Sequence, residues 1–292
     1  MPSAELRRIR RRIRSVQSTR KITRAMELIA ASRIVKAQAR VLAARPYVTK
    51  LVEVIQNTAR AAGGATHMLL EPRKVETLGI IVVSSDRGLA GAYNGNVIRM
   101  AEKTVVEARA SGQDTRLYVV GKKAQRYLRF RGYQIVRAFL GVTDTPGYGD
   151  ARAVANTVLD DFATGTVDQV RVVFTDYRSA LLQEPRMVTL VPVEAASPEG
   201  TEVSSVVYEY EPEARTLLGR LLPRFVEATV FGILLTSSAS EHAARQRAMK
   251  AATENADDLI KLLTRVANQA RQAEITTEIS EIVGGAEALL RG

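Results

Sequence analysis

The sequence predicts an α/β fold: a largely parallel sheet carried between two long helical arms that pair as an antiparallel coiled coil. Three observations predict it. Residues 3–45 and 233–283 contain neither glycine nor proline, and at about 1.5 Å rise per residue they reach roughly 65 and 75 Å as helices. Helices of that length overrun the core of a compact domain, and two of them, from opposite ends of one chain, solve the problem by packing on each other. Between them, apolar β-branched runs alternate with helical stretches, the pattern of an α/β sheet domain.

The first arm opens with Leu6, Ile9, Ile13 and Val16 at alternating three- and four-residue steps, one apolar seam of a coiled coil. Arg7, Arg8, Arg10, Arg11, Arg12 and Arg14 occupy its other faces. Beyond Val16 the stripe shifts register to Ile22, Met26 and Ile29, and small residues follow. Pro46 is expected to kink or interrupt the helix, and a further segment from Tyr47 to Ala62 ends at Gly63-Gly64. Thr77 to Ser84 reads as a strand buried on both faces. A glycine-punctuated loop, Ser85 to Gly95, leads into a helix over 96–110. Strands follow at 116–120, 133–139, 169–175 and 187–193, with helices at 122–130 and 148–162. A polar turn at 195–202 and an extended exit over 203–212 lead to the second arm, helical from Glu213 with a weak point near Gly232. There Ile275, Ile279, Ile282, Ala286 and Leu289 form a second seam, which Gly284-Gly285 interrupts. The expected division is residues 1–62 and 203–292 as one discontinuous coiled-coil domain, with 75–202 as the α/β domain.

The chain of 292 residues has a formal charge of +11, and its first 45 residues hold about 13 Lys/Arg against 2 Glu. That concentration predicts an acidic partner surface. The absence of cysteine removes disulfides and thiolate metal sites and suits a reducing compartment. No apolar run approaches the length of a membrane span. The basic start lacks the apolar region of a secretory signal. A mitochondrial transit peptide is discounted because the helical pattern runs on through Arg45.

No constellation of catalytic residues emerges. Gly88, Gly91 and Gly95 do not fit GxGxxG, no Gly-Lys-Ser/Thr follows, and Asp86 would repel phosphate. The loop therefore reads as a turn or a contact for another protein. His67 and His242 have no nucleophile nearby and read as surface or interface histidines. No Asp/Glu/His cluster has metal-ligand spacing, so neither a metal nor another cofactor is expected. The adjacent pairs Asp160-Asp161 and Asp257-Asp258 read as solvated. Residues 268–278 put polar groups all around a helix, which by themselves read as an exposed helix segment and alternatively as a collar for hydrogen bonding with a surrounding partner.

Four segments carry a resemblance to a known family: Arg20-Lys-Ile-Thr-Arg-Ala-Met-Glu-Leu-Ile-Ala-Ala-Ser32, Ser84-Ser-Asp-Arg-Gly-Leu-Ala-Gly-Ala-Tyr-Asn94, Ala239-Ser-Glu-His-Ala-Ala-Arg-Gln-Arg-Ala-Met-Lys-Ala-Ala-Thr-Glu-Asn255 and Ala270-Arg-Gln-Ala-Glu-Ile-Thr-Thr-Glu-Ile-Ser-Glu-Ile-Val-Gly-Gly-Ala286. In order and over essentially the whole chain, they resemble the gamma subunit of F-type ATP synthase. The resemblance implies an antiparallel coiled coil with an inserted Rossmann-like domain, and a non-catalytic rotor subunit. It implies rotation inside a ring of three α and three β subunits, coupling proton flow to ATP synthesis or hydrolysis. Ring contacts implied by the matching segments are Lys21, Arg24, Met26, Arg245, Arg271, Gln272, Thr276 and Glu278. Contacts at the base, to the epsilon subunit and the membrane c-ring, are implied at Asp86, Arg87, Tyr208 and Glu211. The implied location is peripheral, on the cytoplasmic face of a bacterial plasma membrane. The rival reading, a nucleic-acid-binding coiled coil using the Arg-rich arm, would want aromatic residues there, and none precedes Tyr47.

Overall fold

The computed structural model describes residues 4–61, 67–193 and 213–290. The chain runs α1 (Ala4–Ala61), β1 (Thr77–Val83), α2 (Tyr93–Ala110), β2 (Asp114–Val120), α3 (Lys122–Phe130), β3 (Ile135–Phe139), α4 (Tyr148–Ala163), β4 (Gln169–Tyr177), β5 (Gln183–Val191) and α5 (Ala214–Leu290). The expected Gly63-Gly64 end, the turn at 195–202 and the exit at 203–212 lie outside the described residues. The chain forms two compact units, residues 31–245 and residues 1–30 with 246–292.

In the larger unit the sheet order is β3-β2-β1-β4-β5. β1 to β4 run parallel and β5 returns antiparallel to β4. Alternate residues of the central strands feed two cores, as a period of two demands. Leu78, Ile80, Val82, Leu117 and Val119 pack with α2 and α3. Ile81, Val83, Tyr118 and Val120 pack with α4 and with Leu51, Ile55, Leu218, Leu222 and Val226 of the long helices. The expected strands and helices are all present, with ends moved by a few residues. The largest change is β5, which begins at Gln183, because its first half pairs with β4 at an exposed edge where apolar patterning carries no signal. Gly121 shows how closely β1 and β2 meet: its φ is +94° and a Cβ there would lie 2.5 Å from the Ser84 carbonyl oxygen.

In the smaller unit, α1 and α5 pair antiparallel, with Thr23 Oγ1 2.8 Å from Thr253 Oγ1 and Arg20 Nε 2.6 Å from Asp257. The seam of α1 keeps its original register. From Leu6, Ile9, Ile13 and Val16 the same three-four steps lead to Arg20, Thr23, Glu27 and Ala30, of which the last three are buried. The expected shift onto Ile22 and Ile29 is overturned: they are 60% and 55% exposed. Short side chains at the seam let the helices approach, and the displaced aliphatics face outward. On α5 the seam runs Met249, Thr253, Ala256, Ile260, Leu263, Ala267 and Ala270. The expected C-terminal seam is likewise overturned, since Ile275, Ile279 and Ile282 are 44%, 56% and 72% exposed. The reason is length. The Thr23–Thr253 pairing puts the first residue of α1 level with about residue 272 of α5, so the remainder of α5 extends beyond the described start of its partner.

Neither prolines nor glycines break the long helices. α1 continues through Pro46 and α5 through Pro223, Gly232 and Gly284-Gly285. Pro46 deprives the Leu42 carbonyl of its helical donor, but both residues are exposed, so water can take its place. The glycines cost helix propensity of about 1 kcal/mol each, too little to interrupt a helix of 77 residues.

Candidate functional site

In an open α/β sheet the place to look for a ligand is the carboxyl end of the strands where the order reverses, here between β1 and β4. The chain's own helix occupies it. Ser240 Oγ donates to the Thr175 carbonyl at the end of β4 (3.2 Å), and Tyr93 Oη at the start of α2 donates to the Ser237 carbonyl (3.2 Å). Arg245 reaches the Gly88 carbonyl in the loop after β1 with Nε and Nη2 (3.4 and 3.3 Å). Burial, with the Glu241 charge beside it, pushes the Tyr93 phenol well above its ordinary range. No group of three or more potential metal ligands occurs among the described residues.

Charge is concentrated just beside this crevice. Glu241 is almost fully buried, with Oε1 2.5 Å from Arg245 Nη2. Its burial outweighs Arg245 and pushes its pKa up to about 7. His242, expected at a surface or interface, is 2% exposed instead. Its Nδ1 lies 3.4 Å from Arg245 and its Nε2 3.7 Å from Asp144, and burial, assisted by Arg245, lowers its pKa. Burial also works against the Asp144 carboxylate, but the guanidinium of Arg33, through hydrogen bonds and charge, overrides it and holds Asp144 below the usual carboxylate range. The acidic pairs are less solvated than expected: Asp161 accepts a hydrogen bond from buried Tyr118, and Asp257 pairs with Arg20.

The residues expected to contact partners fall at separate levels. Lys21 and Arg24 are exposed and Met26 half-buried, on the stretch of α1 opposite Thr253. Arg271, Gln272, Thr276 and Glu278 are exposed, roughly 27 Å further along α5 at 1.5 Å per residue. Thr276 returns its hydroxyl to the Gln272 carbonyl (3.0 Å). Arg245, in the larger unit, is buried. Asp86 is half-buried and turned inward, accepting from Thr143 N and Oγ1 (3.3 and 3.0 Å) and Lys122 N (3.1 Å), while Arg87 is exposed. Tyr208 and Glu211 lie outside the described residues. Sequence reasoning missed the outward stripe of Ile22, Leu28 and Ile29, which are 55–60% exposed. Counting the three-four steps strictly onward from Val16, instead of following the apolar residues, would have found it.

In the larger unit the crevice where such a sheet would take a ligand is filled by the chain's own helix, and in the smaller unit the helices turn Ile22, Leu28 and Ile29 outward, features of a subunit that docks on partners. The sequence matches the ATP synthase family over residues 5–289. It is 48% identical to the ATP synthase gamma chain of Kineococcus radiotolerans, covering 98% of this chain and 97% of that one. It is 46% identical to the gamma chain of Saccharopolyspora erythraea, with 98% of each covered. In fold it resembles a chain of the Euglena gracilis mitochondrial ATP synthase, with a TM-score of 0.68 at 17% identity, over 98% of this chain and 94% of that one. A chain of the Tetrahymena thermophila mitochondrial ATP synthase central stalk and c-ring gives 0.61 at 21% identity, over 79% and 99%. The chain belongs to the ATP synthase gamma-chain family and, as a gamma chain, is a non-catalytic subunit of that complex.

Proposed function

We propose that the chain is the rotor shaft of an F-type ATP synthase, with residues 1–62 and 203–292 as the shaft and 75–202 as the body it carries. The shaft turns inside a ring of three α and three β subunits. The base meets the epsilon subunit and the c-ring, so that proton flow drives ATP synthesis and ATP hydrolysis drives pumping. The observation that carries this reading is the far end of α5, where Ile275, Ile279, Ile282 and Val283 are 44–72% exposed on a helix running past its partner's described start. Large aliphatics grouped in that way call for a surrounding apolar surface. Arg271, Gln272, Thr276 and Glu278 then form the polar collar beside that surface, and Lys21, Arg24 and Met26 a second level of ring contact. Arg245 acts from within, by holding the loop at Gly88. Asp86, Arg87, Tyr208 and Glu211 serve the base. The Arg-rich start of α1 favours an acidic ring surface and orients entry.

The chain sits peripherally at the cytoplasmic face of a bacterial plasma membrane. No helix among the described residues is long and apolar enough to cross a membrane. Co-expression with α and β subunits tests the reading. It expects one copy of this chain per ring and ATPase activity in the purified complex; failure to co-purify would overturn it.

A further inference from the structure

The larger unit holds a cavity of about 220 Å³ where three segments of the chain meet. Arg33, Lys36 and Arg40 line it from α1, Asp144 from the loop after β3, and Ser238 and His242 from α5. Spacings of three and four residues set the three cations on one face of α1, where like charges repel. The carboxylate of Asp144 does not balance them, because it is already engaged. Arg33 Nη1 donates to both of its oxygens, and His242 Nε2 lies 3.7 Å from Oδ1. Ser238 Oγ donates to the Asp144 carbonyl (3.1 Å) and fixes the loop. Arg40 gives Nη2 to the Pro146 carbonyl, a contact that holds the guanidinium but leaves its charge unopposed. The other nitrogens of Arg33 and Arg40 meet no acceptor among the described residues. Lys36 is exposed and forms no ion pair among the described residues. Between these long side chains stands Ala37, whose small side chain leaves the space open.

We propose that this cavity is a binding site for a small phosphate-class oxyanion, inorganic phosphate or diphosphate, held by Lys36 and by the free donors of Arg33 and Arg40. Guanidinium forks match the oxygens of a phosphate, and the ammonium adds a point charge. Thr145, exposed on the loop after β3, offers a hydroxyl to the same anion. Size decides against larger ligands. The volume is roughly seven waters' share of the liquid, below the about 300–1,000 Å³ of sites that enclose a drug-sized molecule. A phosphate or diphosphate fits; a nucleoside does not. Once bound, the anion ties α1 to the loop after β3 and relieves the repulsion among the three cations. The site is complete within one chain, so the inference does not depend on the rotor reading.

The test titrates the full chain, purified without phosphate or sulfate, with phosphate, diphosphate and ADP by calorimetry at constant ionic strength. Melting midpoints are followed in parallel. One diphosphate should bind per chain, with phosphate weaker, and saturation should raise the midpoint by at least about 3 °C. Sodium chloride at the same ionic strength should give no such rise. ADP should bind no more tightly than diphosphate, because its nucleoside has no wall to contact. Lys36→Gln should weaken diphosphate binding at least about tenfold while the unliganded midpoint stays within about 1 °C of wild type. Lys261→Gln, which removes a charge in the smaller unit, should leave binding unchanged. Binding that survives Lys36→Gln undiminished overturns the proposal, as does the lack of a midpoint rise with either inorganic anion. ADP binding more than about tenfold tighter than diphosphate makes the site a nucleotide site and overturns it equally.

Discussion

Thr23 and Thr253 illustrate how one residue pair sets a helix register. Three contacts compete for their two hydroxyl protons: one between the threonines, one from Thr23 to the Arg20 carbonyl and one from Thr253 to the Met249 carbonyl. A slip of one heptad would set Thr23 against Gln246 and Arg20 against Lys250, or Thr23 against Ile260, where its hydroxyl loses the bond to Thr253. Thr253→Val should cost about 1 kcal/mol, read by urea unfolding, and a double-mutant cycle with Thr23→Val should show coupling. Glu241 carries a pH signature. Its folded pKa of about 7 lies above the ordinary carboxylate value because burial outweighs Arg245, with Asp144 and Asp86 adding to the rise. The favourable contribution is therefore full below about pH 4.5 and is lost as pH rises through 7. His242 has the opposite sign: its folded pKa is lowered, so its contribution is present above about 6.5 and is lost as pH falls through the folded value. Between pH 6.5 and 8 the Glu241 effect dominates. Glu241→Gln should therefore flatten the fall in melting midpoint across that interval; an unchanged slope would show that Glu241 stays ionised throughout.

At the scale of elements, the central strands and the helices between them were legible because the buried runs are continuous and the loops carry glycine. The α1 seam was only half legible. Hydrophobic pattern reading follows apolar residues, and here Thr23, Glu27 and Ala30 hold the seam while Ile22 and Ile29 face outward. Close approach at Gly121 yields a sharp prediction: Gly121→Ala meets both a φ of +94° and the Ser84 carbonyl, and should destabilise by about 2–4 kcal/mol in denaturant titration. The α5 tip yields the converse. Ile279 is 56% exposed, so Ile279→Asp should leave the isolated chain's stability within about 0.5 kcal/mol while weakening association with the ring, measured by co-purification.

At the scale of the whole molecule, charge and apolar surface are distributed for partners. The first 45 residues carry about 13 Lys/Arg against 2 Glu, so association with an acidic ring should slow steeply with added salt, in stopped-flow measurements, while the off-rate changes little. The sequence by itself determined the α/β body, the two long helices, the basic arm and the family, because period, composition and contiguous motifs are local properties of the chain. Tertiary structure alone decided which helix faces are seam and which are free, since that depends on where the partner helix begins. It also decided that His242 and Glu241 are buried and that Asp86 is spent internally. Those outcomes arise from residues far apart in sequence competing for the same space, hydrogen bonds and charge.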